Sequence, residues 1–200
     1  MTIYGRSPWI QQFPKSRVPS YPRHRGASNA DVVIIGGGLT GCATAYAFSM
    51  AGVKVTLLEA AQIGRGGSGS STGWLNDDPG VDFADFEKAF GVRQATRAFQ
   101  LWRRSSLDFA ALLRRLDVKC FIEPHAAVTV AATPEQAARV KREQKARRDS
   151  GIEALLLNAR AISSEVAVSA SAALRTKEGS TLDPYRACLG IAAAAADHGA

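Results

Sequence analysis

Residues 31–60, DVVIIGGGLTGCATAYAFSMAGVKVTLLEA, constrain this chain more than any other stretch. They read as strand, glycine turn, helix, strand. Val32, Val33, Ile34 and Ile35 are apolar and β-branched, the composition of a strand buried on both faces of a parallel sheet. Directly after them, Gly36, Gly38 and Gly41 fit the spacing G-x-G-x-x-G. Gly36 permits the sharp strand-to-helix turn. Gly38 carries no Cβ, so a diphosphate can approach its backbone, and Gly41 lets the helix pack close to the strand. Leu39 and Thr40 open the helix and join the glycines as candidates for cofactor contact, because free N–H groups and a positive dipole end point at a bound phosphate there. Ala51 and Gly52 stop the helix, and residues 53–58 form the second strand. Glu59 follows, 18 residues past Gly41, where an acid can accept hydrogen bonds from an adenosine ribose. The rival is a βαβ turn without a ligand. Strand, helix, second strand and terminal acid falling in place together favour dinucleotide binding. Glu59 serves FAD or NAD alike, so these residues alone do not separate the two.

Composition bounds the rest. The chain has 200 residues, 46% hydrophobic and 22% charged, an ordinary globular balance with length enough for a core. No run approaches the roughly 18 apolar residues of a membrane span, and no charged segment precedes an apolar leader. No membrane span is expected, and the default compartment is the cytoplasm. Cys42, Cys120 and Cys188 are widely separated and match no metal or disulfide spacing, and with three His no metal site is expected. The net charge is +7, spread over several segments. Its densest group, Arg139, Lys141, Arg142, Lys145, Arg147 and Arg148, covers all sides of a helix without interleaved aromatics. That reads as solvated surface and not as a nucleic-acid face.

Taken in order, residues 1–30 are Pro-rich and basic without periodicity, an extended arm that Trp9, Ile10, Phe13 and Tyr21 could anchor. After the βαβ unit comes QIGRGGSGSSTGWL, residues 62–75. This loop starts at the carboxyl end of the second strand, beside the phosphate turn. Gly67, Ser68, Ser71 and Thr72 are its candidates for phosphate or ribose contact. Residues 83–90 read as a short helix. From Val92, apolar residues at spacings of three and four mark one long amphipathic helix to Leu116. Two short strands follow, broken at Pro124 and His125. Thr133-Pro134-Glu135-Gln136 opens a charged helix with a capping box. Residues 172–176 and 180–182 look like a hairpin around Lys177-Glu178-Gly179. Asp183 caps a final Ala-rich helix that has Pro184 in its first turn.

These segments together resemble a known family. The glycine motif, IGRGGSGSSTGWL and the later LDPYRACLGIAAAAADHGA look like the N-terminal half of FAD-dependent oxidoreductases of the D-amino-acid oxidase superfamily. The second motif resembles that family's G-A-S-G-R-N-x-G loop, with Ser70-Ser71 standing where relatives have Arg-Asn. The third, Leu182-Asp183-Pro184, resembles the turn into a helix that returns to the cofactor domain.

The resemblance implies an α/β fold: a Rossmann-like FAD-binding domain with a parallel sheet, and the start of a mixed α+β substrate domain. It divides the chain into a basic arm (1–30), an FAD-binding βαβ unit with its glycine/serine loop and long helix (31–118), partial substrate-domain strands and helix (119–182), and the returning helix (183–200). It implies extended FAD, with Gly36, Gly38 and Gly41 at the diphosphate and Glu59 at the ribose. It implies non-covalent attachment in the loop of residues 64–73, which has no His. The activity implied is oxidation of a small amine or amino acid by hydride transfer to flavin. Relatives continue past the Ala-rich helix, so the chain reads as a fragment. The 200-residue chain alone is expected to bind FAD weakly and turn nothing over, its other half or a partner subunit being needed. No catalytic residue is assigned. The rivals are an NAD-dependent dehydrogenase and a non-catalytic flavin-binding subunit.

Overall fold

Local sequence decides most element boundaries in the computed structural model, which describes residues 7–200. In chain order the elements are α1 (Pro8–Gln12), β1 (Val32–Ile35), α2 (Leu39–Met50), β2 (Val55–Leu58), β3 (Trp74–Leu75), α3 (Phe83–Phe90), α4 (Val92–Arg115), β4 (Glu123–Pro124), β5 (Ala127–Ala131), α5 (Pro134–Asp149), β6 (Leu155–Asn158), α6 (Ala159–Glu165), β7 (Ala172–Thr176), β8 (Ser180–Thr181) and α7 (Pro184–Asp197). They fall into two compact units. The described residues up to Trp74, with Ala111–Ile122 and Leu182–Ala200, form the first. Leu75–Ala110 and Glu123–Thr181 form the second.

In the first unit β1 and β2 pair in parallel, Val32 opposite Val55 and Ile35 opposite Leu58. The connecting helix α2 ends where Gly52, at φ +74°, donates its N–H to the Ser49 carbonyl at 3.0 Å. α7 lies along α2. Cys42, Ala45 and Tyr46 of α2 and Tyr185, Cys188, Ile191 and Ala195 of α7 are buried. Burial of Ile191 alone contributes about 2 kcal/mol. α7 starts as its sequence dictates: Asp183 Oδ1 accepts the Arg186 N–H at 3.0 Å, with Pro184 in the first turn.

Two expectations for this unit change. β1 is not buried on both faces: Val33 is 56% and Ile35 87% exposed. α2 covers one face of the two-stranded sheet, and among the described residues of this unit no second layer covers the other. Nor is the arm wholly extended. Pro8–Gln12 coils into a helical turn with Pro8 at its start. Phe13 then meets the Tyr185 ring edge-on, centroids 5.5 Å apart.

In the second unit β7 is central, antiparallel to both β5 and β6. The strand period of two puts Ala172 and Leu174 on one face, where α5 packs through Ala137 and Val140. Ala173 faces the other way, against Leu157 and Ile162. The capping box of α5 is present: Thr133 Oγ1 accepts the Gln136 N–H at 3.2 Å, and Gln136 Oε1 accepts the Thr133 N–H at 3.3 Å. Thr133→Ala is expected to cost about 1 kcal/mol, read as a lower denaturant midpoint.

The expected hairpin does not form. β7 joins β5 and β6, while β8 pairs with β4. Asp77 holds the turn between them, accepting the Thr176 hydroxyl at 2.8 Å and the Glu178 N–H at 3.0 Å. The expected segment 31–118 is also divided, because residues 75–110 group with the second unit. Phe83, Ala95 and Phe99 make their own core there, flanked by Ala146 of α5. Arg147, read as surface charge, is buried instead. Its Nε lies 2.5 Å from Glu143 Oε1, and its guanidinium lies 3.0 Å from Asp78. Among the described residues no helix is long and apolar enough to cross a membrane, and no group of three or more His, Cys, Asp or Glu could hold a metal ion.

Candidate functional site

The glycine turn owes its shape to close approach and to one left-handed residue. Gly36 has φ +104°, a value side chains other than glycine rarely adopt, and its N–H donates to the Leu58 carbonyl at 2.8 Å. A Cβ at Gly41 would sit 2.0 Å from the Gly36 carbonyl oxygen, so α2 can start this near β1 only without one. A Cβ at Gly38 would meet Ser68 Oγ at 3.1 Å. The turn thus presents bare backbone at the start of a helix whose first amides lack intrahelical partners.

Glu59 closes the turn from the end of β2. Its Oε2 accepts the Gly37 N–H at 2.7 Å and its Oε1 the Ala61 N–H at 2.8 Å. The Ala61 and Gly37 amides, in that order, hold the carboxyl below the usual carboxylate range. Each oxygen keeps spare lone-pair capacity, and the side chain is only half-buried. Beside it opens a cavity of about 1100 Å³, lined by Glu59, Gln62, Cys42, Tyr21, Arg23 and Ala192 among others.

Of the loop candidates, Ser68 reaches the turn. Its Oγ accepts the Leu39 N–H at 2.8 Å, which leaves the hydroxyl proton free to donate. Gly67 is exposed and leads into the 3-10 turn Ser68–Ser70. Ser71 and Thr72 are exposed and bend back on their own strand, their hydroxyls 3.3 Å from the Gly73 nitrogen and 3.4 Å from the Trp74 nitrogen. Thr40 is also exposed, and its carbonyl accepts the Thr44 hydroxyl.

Gly37 escaped the sequence reading, because it occupies an unspecified position of the motif. Its carbonyl accepts the Gly64 N–H at 2.8 Å and has the thiols of Cys188 and Cys42 at 3.4 and 3.6 Å. The arm was only partly foreseen. Trp9 Nε1 donates to the Ser71 carbonyl at 2.9 Å, and Ile10 packs where a Cβ on Gly69 would lie. The signal for this was the apolar set Trp9, Ile10 and Phe13 inside a polar segment.

These residues fit FAD. The bare glycine backbone suits a diphosphate, and an ionised, half-exposed Glu59 suits a pair of ribose hydroxyls. The profile of a family described as FAD dependent oxidoreductase matches residues 31–200. Gamma-glutamylputrescine oxidoreductase of Escherichia coli (strain K12) is 30% identical over 164 residues, which cover 81% of this chain and 38% of that protein. Two solved structures share the fold. Glycine oxidase from Bacillus cereus superposes with a TM-score of 0.64 at 20% identity, covering 86% of this chain and 45% of that one. FAD-bound L-alpha-glycerophosphate oxidase from Mycoplasma pneumoniae superposes with a TM-score of 0.66 at 19% identity, covering 86% and 44%. The chain therefore spans less than half the length of each of these relatives. The alternative of an NAD-dependent dehydrogenase is not favoured by these matches. Since one continuous match runs from the strand before the glycine turn through Glu59 to the Asp183-capped helix, the chain belongs to the FAD-dependent oxidoreductases.

Proposed function

We propose that this chain supplies the FAD-holding part of an oxidoreductase that acts on a small amine or amino acid. The observation that carries this reading is Glu59, locked by the Gly37 and Ala61 amides at the edge of an open cavity. The names gamma-glutamylputrescine oxidoreductase and glycine oxidase support the substrate class. Gly36, Gly38 and Gly41, with the amide of Thr40, receive the diphosphate, and Leu39, whose own amide is held by Ser68 Oγ, places that hydroxyl beside it. Ser68 donates its free hydroxyl proton to a phosphate oxygen, and the backbone at Gly67 lies alongside. Glu59 accepts the ribose hydroxyls. Ser71 and Thr72 keep their hydroxyl protons available to the same cofactor. Bound there, FAD would supply the acceptor for a hydride from the carbon bearing the substrate nitrogen, and these residues would hold it in place. A cytoplasmic location suits the three free cysteines.

Replacing Glu59 tests the reading. Hydrogen bonds to a charged group contribute about 1.5–3 kcal/mol, so Glu59→Ala is expected to weaken FAD binding roughly 10- to 100-fold in a fluorescence titration of apoprotein. Because the folded-state carboxyl titrates below its ordinary value of about 4.3, wild-type affinity should stay flat through neutral pH and fall only under that value. Unchanged affinity in the variant, or saturable NAD binding in the wild type, would count against the proposal.

A further inference from the structure

Two thiols back the glycine turn. Cys42 on α2 and Cys188 on α7 are 146 residues apart in sequence, yet their Sγ atoms are 3.7 Å apart. Both are fully buried. Each lies within reach of the Gly37 carbonyl oxygen, so neither sulfur is there merely to fill space. A disulfide needs about 2.05 Å between sulfurs, so closure asks for a shift of under about 2 Å.

The two sulfurs are not equivalent. Cys42 lines the cavity of about 1100 Å³ beside Glu59, and Cys188 does not. The hydrogen bond with Cys188 pulls the Cys42 thiol down, whereas that same bond and then burial push the Cys188 thiol up. Of the two, Cys42 is the residue that borders the cavity, and its hydrogen bond with Cys188 favours its thiolate. Cys120, buried elsewhere in the same unit, has its thiol pushed up chiefly by burial.

We propose that Cys42 and Cys188 are a redox site, closing to a disulfide between α2 and α7 when a hydroperoxide enters the cavity. With hydrogen peroxide, the Cys42 thiolate sulfur attacks one peroxide oxygen and the O–O bond breaks. The leaving oxygen takes up a proton, departs as water, and leaves a sulfenic acid on Cys42. The Cys188 sulfur then attacks the Cys42 sulfur. The S–O bond breaks, and the hydroxyl leaves as a second water with the Cys188 proton. Two thiols lose two electrons and two protons, and one peroxide becomes two waters. Closure also removes the thiol hydrogens within reach of the Gly37 carbonyl and leaves it the Gly64 N–H.

The test treats the purified protein with hydrogen peroxide, unfolds it, blocks remaining thiols and maps the peptides. The expected product is one linked pair of peptides containing Cys42 and Cys188, two hydrogens lighter than the free pair and separated again by dithiothreitol. Cys120 should be blocked as a free thiol throughout. In Cys188→Ser the reaction should stop at a Cys42 sulfenic acid that dimedone traps. Recovery of Cys42 and Cys188 as free thiols after oxidation, or a link from either to Cys120, overturns the proposal. The mapping uses the unaltered chain, so it decides the matter even where the variant folds poorly.

Discussion

Gly41→Ala is expected to cost the first unit about 2–3 kcal/mol and to abolish FAD retention. The new Cβ would stand 2.0 Å from the Gly36 carbonyl oxygen and 3.2 Å from its carbon. Both obstacles are backbone, so no rotamer change relieves the clash. Gly36 cannot retreat easily, since its N–H is tied to Leu58 across the sheet. α2 cannot retreat either, since Cys42 and Ala45 are buried under α7. Whichever side yields, Gly36, Gly38 and the first amides of α2 lose their common geometry. Gly52→Ala is the matched control. It strains a φ of +74° at the other end of α2 but meets nothing within 4 Å. It should cost about 1 kcal/mol and leave flavin binding intact. Denaturant midpoints and flavin absorbance after desalting read both effects. A Gly41→Ala protein with wild-type midpoint and full flavin content would refute the packing account.

What was legible in the sequence had its determinants close together. The turn from Gly36 to Gly41, the capping box at Thr133 and Gln136, and the Asp183 cap each need only a few residues to specify them. What was not legible depends on partners far along the chain. Ser68 meets Leu39 across 29 positions, and Cys188 meets Cys42 across 146. Spacing rules for cysteine look for near neighbours or repeats, so this pair reads as two of three unrelated thiols. The hairpin error has the same root. Residues 172–182 carry the local pattern of two strands and a turn, but Asp77, 99 positions before Thr176, occupies the turn. β7 instead finds partners on both sides in β5 and β6. Arg147 was misread for a related reason: a run of basic residues looks solvated until the carboxylates that face one of them are known.

Those carboxylates set the largest effect expected in the second unit. Glu143→Ala should destabilise it by about 3–5 kcal/mol. Glu143 is 3% exposed and answers three donors at once: the Phe83 N–H at 2.7 Å, the Ala84 N–H at 2.9 Å and Arg147 Nε at 2.5 Å. The first two are orphan amides at the start of α3, where a negative charge also meets the positive end of the helix. Truncation leaves them without an acceptor. It leaves the Arg147 guanidinium with Asp78 and the face of the Phe99 ring, too little to replace a lost buried charge. If the cost lies in the stranded charge and not in lost volume, removing both ions should recover much of it. Glu143→Leu with Arg147→Met is therefore expected to be more stable than Glu143→Ala alone, because apolar residues of similar size commonly replace a buried ion pair at little cost. Chemical denaturation of Glu143→Leu, Arg147→Met and the double variant closes the cycle. A double variant as unstable as the sum of its singles would mean that the two side chains act independently, each through its own packing.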